Sequence, residues 1–218
     1  MEPHSVDTEH FNATEKGGVT LKTSNAPVPY VVAMEEMEPL VHGVKTNTHQ
    51  EIIWFLEHTP VYTYGVRTDS AHVDQARKGG IPVCLSQRGG QLTFHGPGQR
   101  IVYCVIHLRR RTMGVGAYVA CLEQWIIDAL AYWGIQGFKV DGQVGVWTQR
   151  GKIASIGVRV SGGVASHGLA LNVEKGGAGF ASIVPCGLDH VTMTSVQDVA
   201  PHLTMAHMDR ALLVTLPF

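Results

Sequence analysis

The sequence contains no run approaching 18 apolar residues, so it has no segment of the length an ordinary transmembrane helix needs. It also lacks an excess of charge of either sign. Its 17 basic and 18 acidic side chains leave a formal net charge of −1, which gives no bulk attraction to nucleic acid or to an anionic membrane. The first residues, Met1-Glu2-Pro3-His4, carry an acid early and no apolar stretch, unlike a secretory signal or a basic transit peptide. No Cys-x-x-Cys pair occurs among Cys84, Cys104, Cys121 and Cys186, so a structural zinc site and a thioredoxin-like motif lack support. With no export signal, these thiols are expected to stay reduced in a cytoplasmic setting.

Familiar catalytic signatures fail on spacing. Gly145 to Lys152 superficially suggests a phosphate loop. It has one residue too many between its glycines, and Ile153 stands where a magnesium-binding Ser or Thr is required. Gly114-Val115-Gly116 is followed by Val119 rather than the third glycine of a dinucleotide turn. A serine-hydrolase elbow at Ser155 fails because position 153 is Ile. The 12 histidines include no His-Glu-x-x-His or comparable spacing, so no metal is assigned.

What is present fits one compact α/β domain. A chain of 218 residues with 44% hydrophobic and 16% charged side chains is too apolar for general disorder. Residues 1–26 are polar and mixed and read as a flexible leader; residues 27–218 read as a single catalytic domain. Helix spacing runs from Tyr30 to Gly43, with Gly43 as a stop and Pro39 perturbing the last turn. The clearest helix covers about Ala117 to Trp133 with Gly134 after it, and a final helix is expected from about His202 to Thr215. Strand-like runs cover 51–56, 61–64, 101–108, 144–147, 153–160 and 164–173. Without a strict βαβ rhythm, this order predicts a mixed, largely antiparallel sheet with packed helices.

Ile153 to Val160 alternates cleanly. If Gly162-Gly163 is a two-residue turn, Gly157 faces Gly168 and Ser155 faces Ala170, while Ile156 faces Leu169 and Ala154 faces Leu171. One face of this hairpin is bulky and the other nearly bare. A bare face suits close contact with another protein segment or a slot for a slender ligand, and periodicity does not separate the two.

Three further segments carry chemistry. Arg88 to Gln99 holds four glycines at 89, 90, 96 and 98, which let backbone amides approach a ligand beside Arg88 and His95. Gly151-Lys152 leads into the hairpin. Val184-Pro185-Cys186-Gly187 places a thiol between a residue that ends regular pairing and one that permits a turn. Cys84, Cys104 and Cys121 sit in apolar strand or helix sequence, where cysteine acts as a small hydrophobe. Cys186 is therefore the best nucleophile candidate, and Lys152, His95, His167 and His190 are candidates to activate it.

These segments resemble one known family. Arg88-Gly89-Gly90-Gln91-Leu92-Thr93-Phe94-His95, Gly151 to Arg159, Ser166 to Val173 and Ile183 to Gly187 look like those of the lipoyl(octanoyl) transferases. Glu57 to Gly65 matches a further family segment, and the likeness extends over about residues 28–200. It implies a biotin/lipoate protein ligase catalytic-type fold and no cofactor. It also implies transfer of an octanoyl group from octanoyl-acyl carrier protein to a lysine of lipoyl domains. Such acceptors are the E2 subunits of 2-oxoacid dehydrogenases and the glycine cleavage H protein. The resemblance implies a thioester on Cys186, Lys152 as its partner, residues 88–95 cradling the acyl head, and Ser155-Ile156-Gly157 with Gly168-Leu169-Ala170 lining the chain. Phe94 and Cys104 depart from the family pattern, where Tyr and Pro are common. One tension follows: strict alternation turns Lys152 away from Ser155, unless pairing starts later or a bulge re-aims it. Arg109-Arg110-Arg111 reads as a basic turn that could also steer an acidic carrier.

Overall fold

The computed structural model describes residues 14–16, 18–175, 179–180 and 191–218. Its elements follow the chain as β1 (Thr14–Lys16), β2 (Val19–Thr23), α1 (Tyr30–Thr46), β3 (Glu51–Leu56), β4 (Val61–Tyr64) and α2 (Ser70–Arg77). Next come β5 (Val83–Leu85), β6 (Thr93–His95), β7 (Gln99–His107), α3 (Val115–Ala131), β8 (Phe138–Val140) and β9 (Gln143–Thr148). The last are β10 (Gly151–Ser161), β11 (Val164–Asn172), α4 (Val196–Val199) and α5 (Met205–Val214). Eight strands form one sheet in the order β1-β2-β3-β7-β11-β10-β9-β8, and β5-β4-β6 form a small second sheet. Within the large sheet only β2 and β3 pair parallel, so the mixed, largely antiparallel expectation holds.

The central strands are buried on both faces, which is why β3 and β7 read as continuous apolar runs. Along β7, Ile101, Tyr103 and Val105 pack with Ala33, Met37 and Val44 of α1. The alternate residues Val102, Cys104 and Ile106 pack with Leu122, Trp125 and Ile126 of α3 and Met208 and Leu212 of α5. The period of two thus splits one strand between two cores. The indole Nε1 of Trp125 donates to the Leu212 carbonyl at 2.9 Å and ties the two helices of the second core together.

Two boundaries differ from the sequence reading. Residues 19–23 lie within the segment read as a leader, yet they form β2, with Val19 and Leu21 in the core. Five residues carry too little periodicity to announce a strand, and pairing with β3 supplies what propensity does not. Helix α1 also continues past Pro39 and Gly43 to Thr46. It stops where Asn47 turns left-handed (φ 64°) and donates back to the carbonyls of Gly43 and Val44. Gly43 is no stop: a Cβ there would collide with the His49 ring. Short α2, α4, β5, β6 and β8 carry too few periodic residues to be read in advance.

Candidate active site

The β10–β11 hairpin has the expected register: Gly157 opposite Gly168, Ser155 opposite Ala170, Ile156 opposite Leu169 and Ala154 opposite Leu171. Gly162 and Gly163 make its turn with φ of 61° and 88°, the left-handed pair that a tight hairpin favours. Ala154, Leu169 and Leu171 then face the α3/α5 core, with Ile156 partly buried against it. Residues 155–157 and 168–170 form one wall of a cavity of about 220 Å³.

The bare face has two distinct causes. A Cβ on Gly157 would lie 2.9 Å from Arg88 Cδ and 3.1 Å from the Gly89 carbonyl. A Cβ on Gly168 would collide with the Val102 carbonyl of the neighbouring strand. Both glycines line the cavity, but each is small because a protein segment passes close by. The close-contact reading thus accounts for the two missing side chains, and the slot lies beside them.

Lys152 reaches this cavity through a bulge. The β9–β10 ladder slips by one residue between Lys152 and Ala154, so Ile153 and Ala154 both enter the α3/α5 core. Lys152 consequently lines the cavity together with Ser155, which resolves the alternation problem. It is 3% exposed; its Nζ donates to the Val144 carbonyl at 3.0 Å and lies 4.7 Å from the Trp147 ring centroid. Its backbone is held on the other side as well. Lys152 N–H donates to the Thr192 carbonyl, and Thr194 N–H donates to the Lys152 carbonyl.

Arg88, Gly90, Gln91, Thr93 and His95 line the cavity opposite the hairpin. The remaining members of this segment do other work. Gly89 donates its N–H to the Val158 carbonyl, docking the loop on β10. Leu92 and Phe94 point into a small core with Tyr62 and Phe180. They face this small core, so of residues 88–95 it is Arg88, Gly90, Gln91, Thr93 and His95 that line the cavity. Alternation along β6 makes the split: Thr93 and His95 turn one way and Phe94 the other.

A directed chain of hydrogen bonds joins this segment to Lys152. Arg88 Nη2 donates to Thr63 Oγ1 at 2.7 Å, and Thr63 Oγ1 lies 3.1 Å from His95 Nε2. His95 Nδ1 lies 2.7 Å from Gln99 Oε1, an atom that only accepts, so Nδ1 carries the proton and Nε2 accepts from Thr63. Gln99 Nε2 donates to Asn172 Oδ1 at 2.9 Å, and Asn172 Nδ2 donates to the Thr194 carbonyl at 3.0 Å. Thr194 then closes on Lys152. Beside this chain, His58 donates from Nδ1 to the Val28 carbonyl at 2.8 Å and accepts at Nε2 from the Tyr103 hydroxyl at 2.6 Å.

These histidines are held neutral. Burial, with the Arg88 charge and His58 adding to it, pulls His95 down to about 3 against the opposing Gln99 contact. Burial and the charges of Arg88 and Arg159 pull His167 down to about 4, and burial lowers His58 despite its Val28 carbonyl. His167 also has a φ of 60° within β11, a left-handed conformation that strains a non-glycine residue. Its ring stands edge-on to Tyr103 at 5.9 Å.

The three cysteines among the described residues have environments that disfavour a thiolate: burial raises Cys84, Cys104 and Cys121, most strongly Cys104. Cys186 and His190 lie outside the described residues. No group of three or more metal-ligating side chains occurs among the described residues, and no described helix is long and apolar enough to cross a membrane.

Residues 29–216 match the lipoyl protein ligase A/B catalytic domain. The chain is 42% identical over 204 residues to the octanoyltransferase of Paramagnetospirillum magneticum, covering 91% of this chain and 95% of that protein. The chain belongs to the lipoyl protein ligase A/B family, among its octanoyltransferases. Kinship with these acyltransferases recurs in the octanoyltransferase of Caulobacter vibrioides, 43% identical over 197 residues, with 87% and 86% of the two chains covered. The fold is shared with P. falciparum LipL1 in complex with lipoate, at a TM-score of 0.71 and 12% identity. That likeness covers 90% of this chain and 60% of the longer one. A putative lipoate protein ligase from T. acidophilum with bound lipoic acid aligns at a TM-score of 0.66 and 14% identity, over 92% of this chain and 84% of that one.

Within this octanoyltransferase, sequence reasoning missed Tyr30, Ile101, Tyr103 and Gln143 as cavity residues, and Thr63, Gln99 and Asn172 as links between cavity segments. Tyr30 reads locally as helix sequence and Ile101, Tyr103, Thr63 and Asn172 as strand sequence, while Gln99 closes the glycine-bearing segment; only packing links them at the site. The basic turn is partly committed elsewhere. Arg111 pairs with Glu51 at 2.5 Å and Arg110 donates to the Val44 carbonyl at 3.0 Å, while Arg109 stays exposed.

Proposed function

We propose that this protein moves an octanoyl group from octanoyl-acyl carrier protein to one lysine of a lipoyl domain, on a 2-oxoacid dehydrogenase E2 subunit or the glycine cleavage H protein. The observation that carries the reading is the placement of Lys152. A bulge turns its amine into a largely apolar cavity walled by the bare side of the hairpin. A slender apolar chain fits along that wall, and the Lys152 amine is available to it for proton transfer.

In the proposed reaction, the Cys186 thiolate attacks the carbonyl carbon of the carrier thioester. The tetrahedral intermediate collapses, the carrier sulfur leaves with a proton from Lys152, and a thioester remains on Cys186. The amine of the acceptor lysine then attacks that thioester. Its proton passes to Lys152, an amide forms, and the Cys186 thiolate is released. Thioester exchange is nearly balanced and amide formation runs downhill, so the acyl group arrives already activated. The relatives' name, octanoyltransferase, supports the acyl group. A thiolate nucleophile needs a reducing setting, which fits the cytoplasm.

Intact mass spectrometry after mixing with octanoyl-acyl carrier protein tests the reading. The wild type should gain one octanoyl mass and lose it when lipoyl domain is added, and Cys186→Ser should gain none. A wild type that stays unmodified, or a Cys186→Ser variant that transfers normally, overturns the mechanism.

A further inference from the structure

Behind the cavity, on the opposite side of the sheet, helix α3 carries a buried carboxylate that the reaction above does not use. Glu123 is 9% exposed and sits among the apolar residues that pack α3 on the sheet. Its Oε1 accepts from the Gly145 N–H at 3.0 Å. That N–H belongs to the same peptide unit as the Val144 carbonyl, which receives Lys152 Nζ at 3.0 Å. One peptide plane therefore stands between a carboxylate on its N–H end and an amine donor on its C=O end. Hydrogen bonds in such a chain polarise one another, so each end strengthens the other.

The backbone is shaped for this. Gly145 has a φ of 129°, which an L side chain rarely adopts. A Cβ there would lie 2.5 Å from the Ala154 carbonyl and 2.8 Å from Lys152 Cε. The glycine thus permits the peptide orientation and leaves room for the lysine to thread past. The second Glu123 oxygen lies 3.7 Å from Nζ of the partly exposed Lys139, an ion pair on its outer side.

We infer that Glu123 is a positioning residue for Lys152: it clamps the Val144–Gly145 peptide so that the Val144 carbonyl holds the lysine amine in the lining of the cavity. The inference rests on the proposed role of Lys152 and deepens it. Glu123 touches no substrate and acts only through the peptide.

The test compares Glu123→Gln and Glu123→Ala with wild type and Lys152→Ala, using octanoyl-acyl carrier protein and lipoyl domain. A gap of this kind between a clamp and the group it holds lowers kcat by about 10- to 100-fold. Glu123→Ala should show that loss with KM within about twofold of wild type. Glu123→Gln keeps an oxygen for the Gly145 N–H and should stay within about threefold of wild-type kcat. Competitive labelling with acetic anhydride should show Lys152 reacting faster, relative to exposed Lys78, in folded Glu123→Ala than in wild type. An unchanged kcat in Glu123→Ala, or Gln and Ala variants that lose activity equally with Lys152 labelling unaltered, overturns the inference alone. Full activity of Lys152→Ala overturns the role of Lys152 and the inference with it.

Discussion

Gly157 and Gly168 face each other across β10 and β11, and a Cβ on either would be crowded, each from a different side. Arg88 and Gly89 press on Gly157 from the loop that crosses the hairpin. The Val102 carbonyl presses on Gly168 from within the sheet. Gly157 thus sets how closely the Arg88–Gly89 loop approaches the hairpin, whereas Gly168 sets how closely β11 lies against β7.

Gly157→Ala should push the Arg88–Gly89 loop outward. Overpacking of this kind costs about 1–3 kcal/mol. Urea unfolding should show that loss, with a lower kcat/KM for octanoyl donor. Wild-type stability with wild-type kcat/KM would show that the loop yields freely.

Asn172→Leu removes the link between Gln99 and Thr194, leaving Gln99 Nε2 with the Phe94 carbonyl alone and taking the Asn172 donor from the Thr194 carbonyl. The cost should be about 1–3 kcal/mol for each group that water cannot reach. The segment that rejoins Lys152 at residues 192–194 should lose amide-exchange protection before the rest of the sheet does. Uniform loss of protection across the sheet would count against this local linkage.

Stability should fall with acid in a window set by the buried histidines. His95 and His167 are depressed to about 3 and about 4 in the folded chain, against an ordinary value of 6.5. The unfolded chain therefore takes up protons first. The stabilisation is fully present above about pH 6.5 and is lost as pH falls toward the folded values, at roughly 1.4 kcal/mol per pH unit for each histidine. Urea midpoints at pH 7.5 and pH 5 should show the drop, and replacing His95 with Gln should shrink it. A pH-independent midpoint would contradict neutral burial of these rings.

Asp209→Ala should be among the most damaging changes outside the cavity. Arg100 is 5% exposed and holds Asp209 through two bonds of 2.7 and 2.8 Å, joining β7 to α5. Stranding that guanidinium costs about 3–5 kcal/mol, whereas replacing both partners by Met and Leu should cost far less. Thermal unfolding of the single and double variants decides it; equal losses would point to packing rather than an uncompensated charge.

Charge reversal at Arg111 should destabilise the fold, because it faces Glu51, while Arg109→Glu should leave the melting temperature unchanged. Arg109 is thus the position at which carrier steering is measurable without a folding artefact. A raised apparent KM for carrier-bound donor, with a small-molecule thioester unaffected, is the expected signature. Equal effects on both donors would remove the steering role.

Much of this was legible in the residues themselves. Alternation along 153–160 and two glycines at 162–163 were enough to pair β10 with β11 residue by residue, because a two-residue turn permits one register. Apolar runs announced β3, β4 and β7, and spacing announced α3. The same local logic left two resolutions open for Lys152, a later start of pairing or a bulge, because the bulge at Ile153 belongs to the pairing with β9 and not to β10 alone. Thr63, Gln99 and Asn172 gave no sign of acting together, for they lie 32 and 73 positions from the neighbours they bond.

Local periodicity and turn chemistry therefore determined the longer strands and the hairpin register, because those depend on neighbours within a few positions, while the roles of the candidate residues came from the family resemblance. Tertiary packing alone decided that Lys152 enters the cavity, that Leu92 and Phe94 leave it, and that Glu123 reaches the lysine through a peptide bond. Those outcomes depend on which distant carbonyls and amides must be satisfied once water is gone, and no local pattern carries that information.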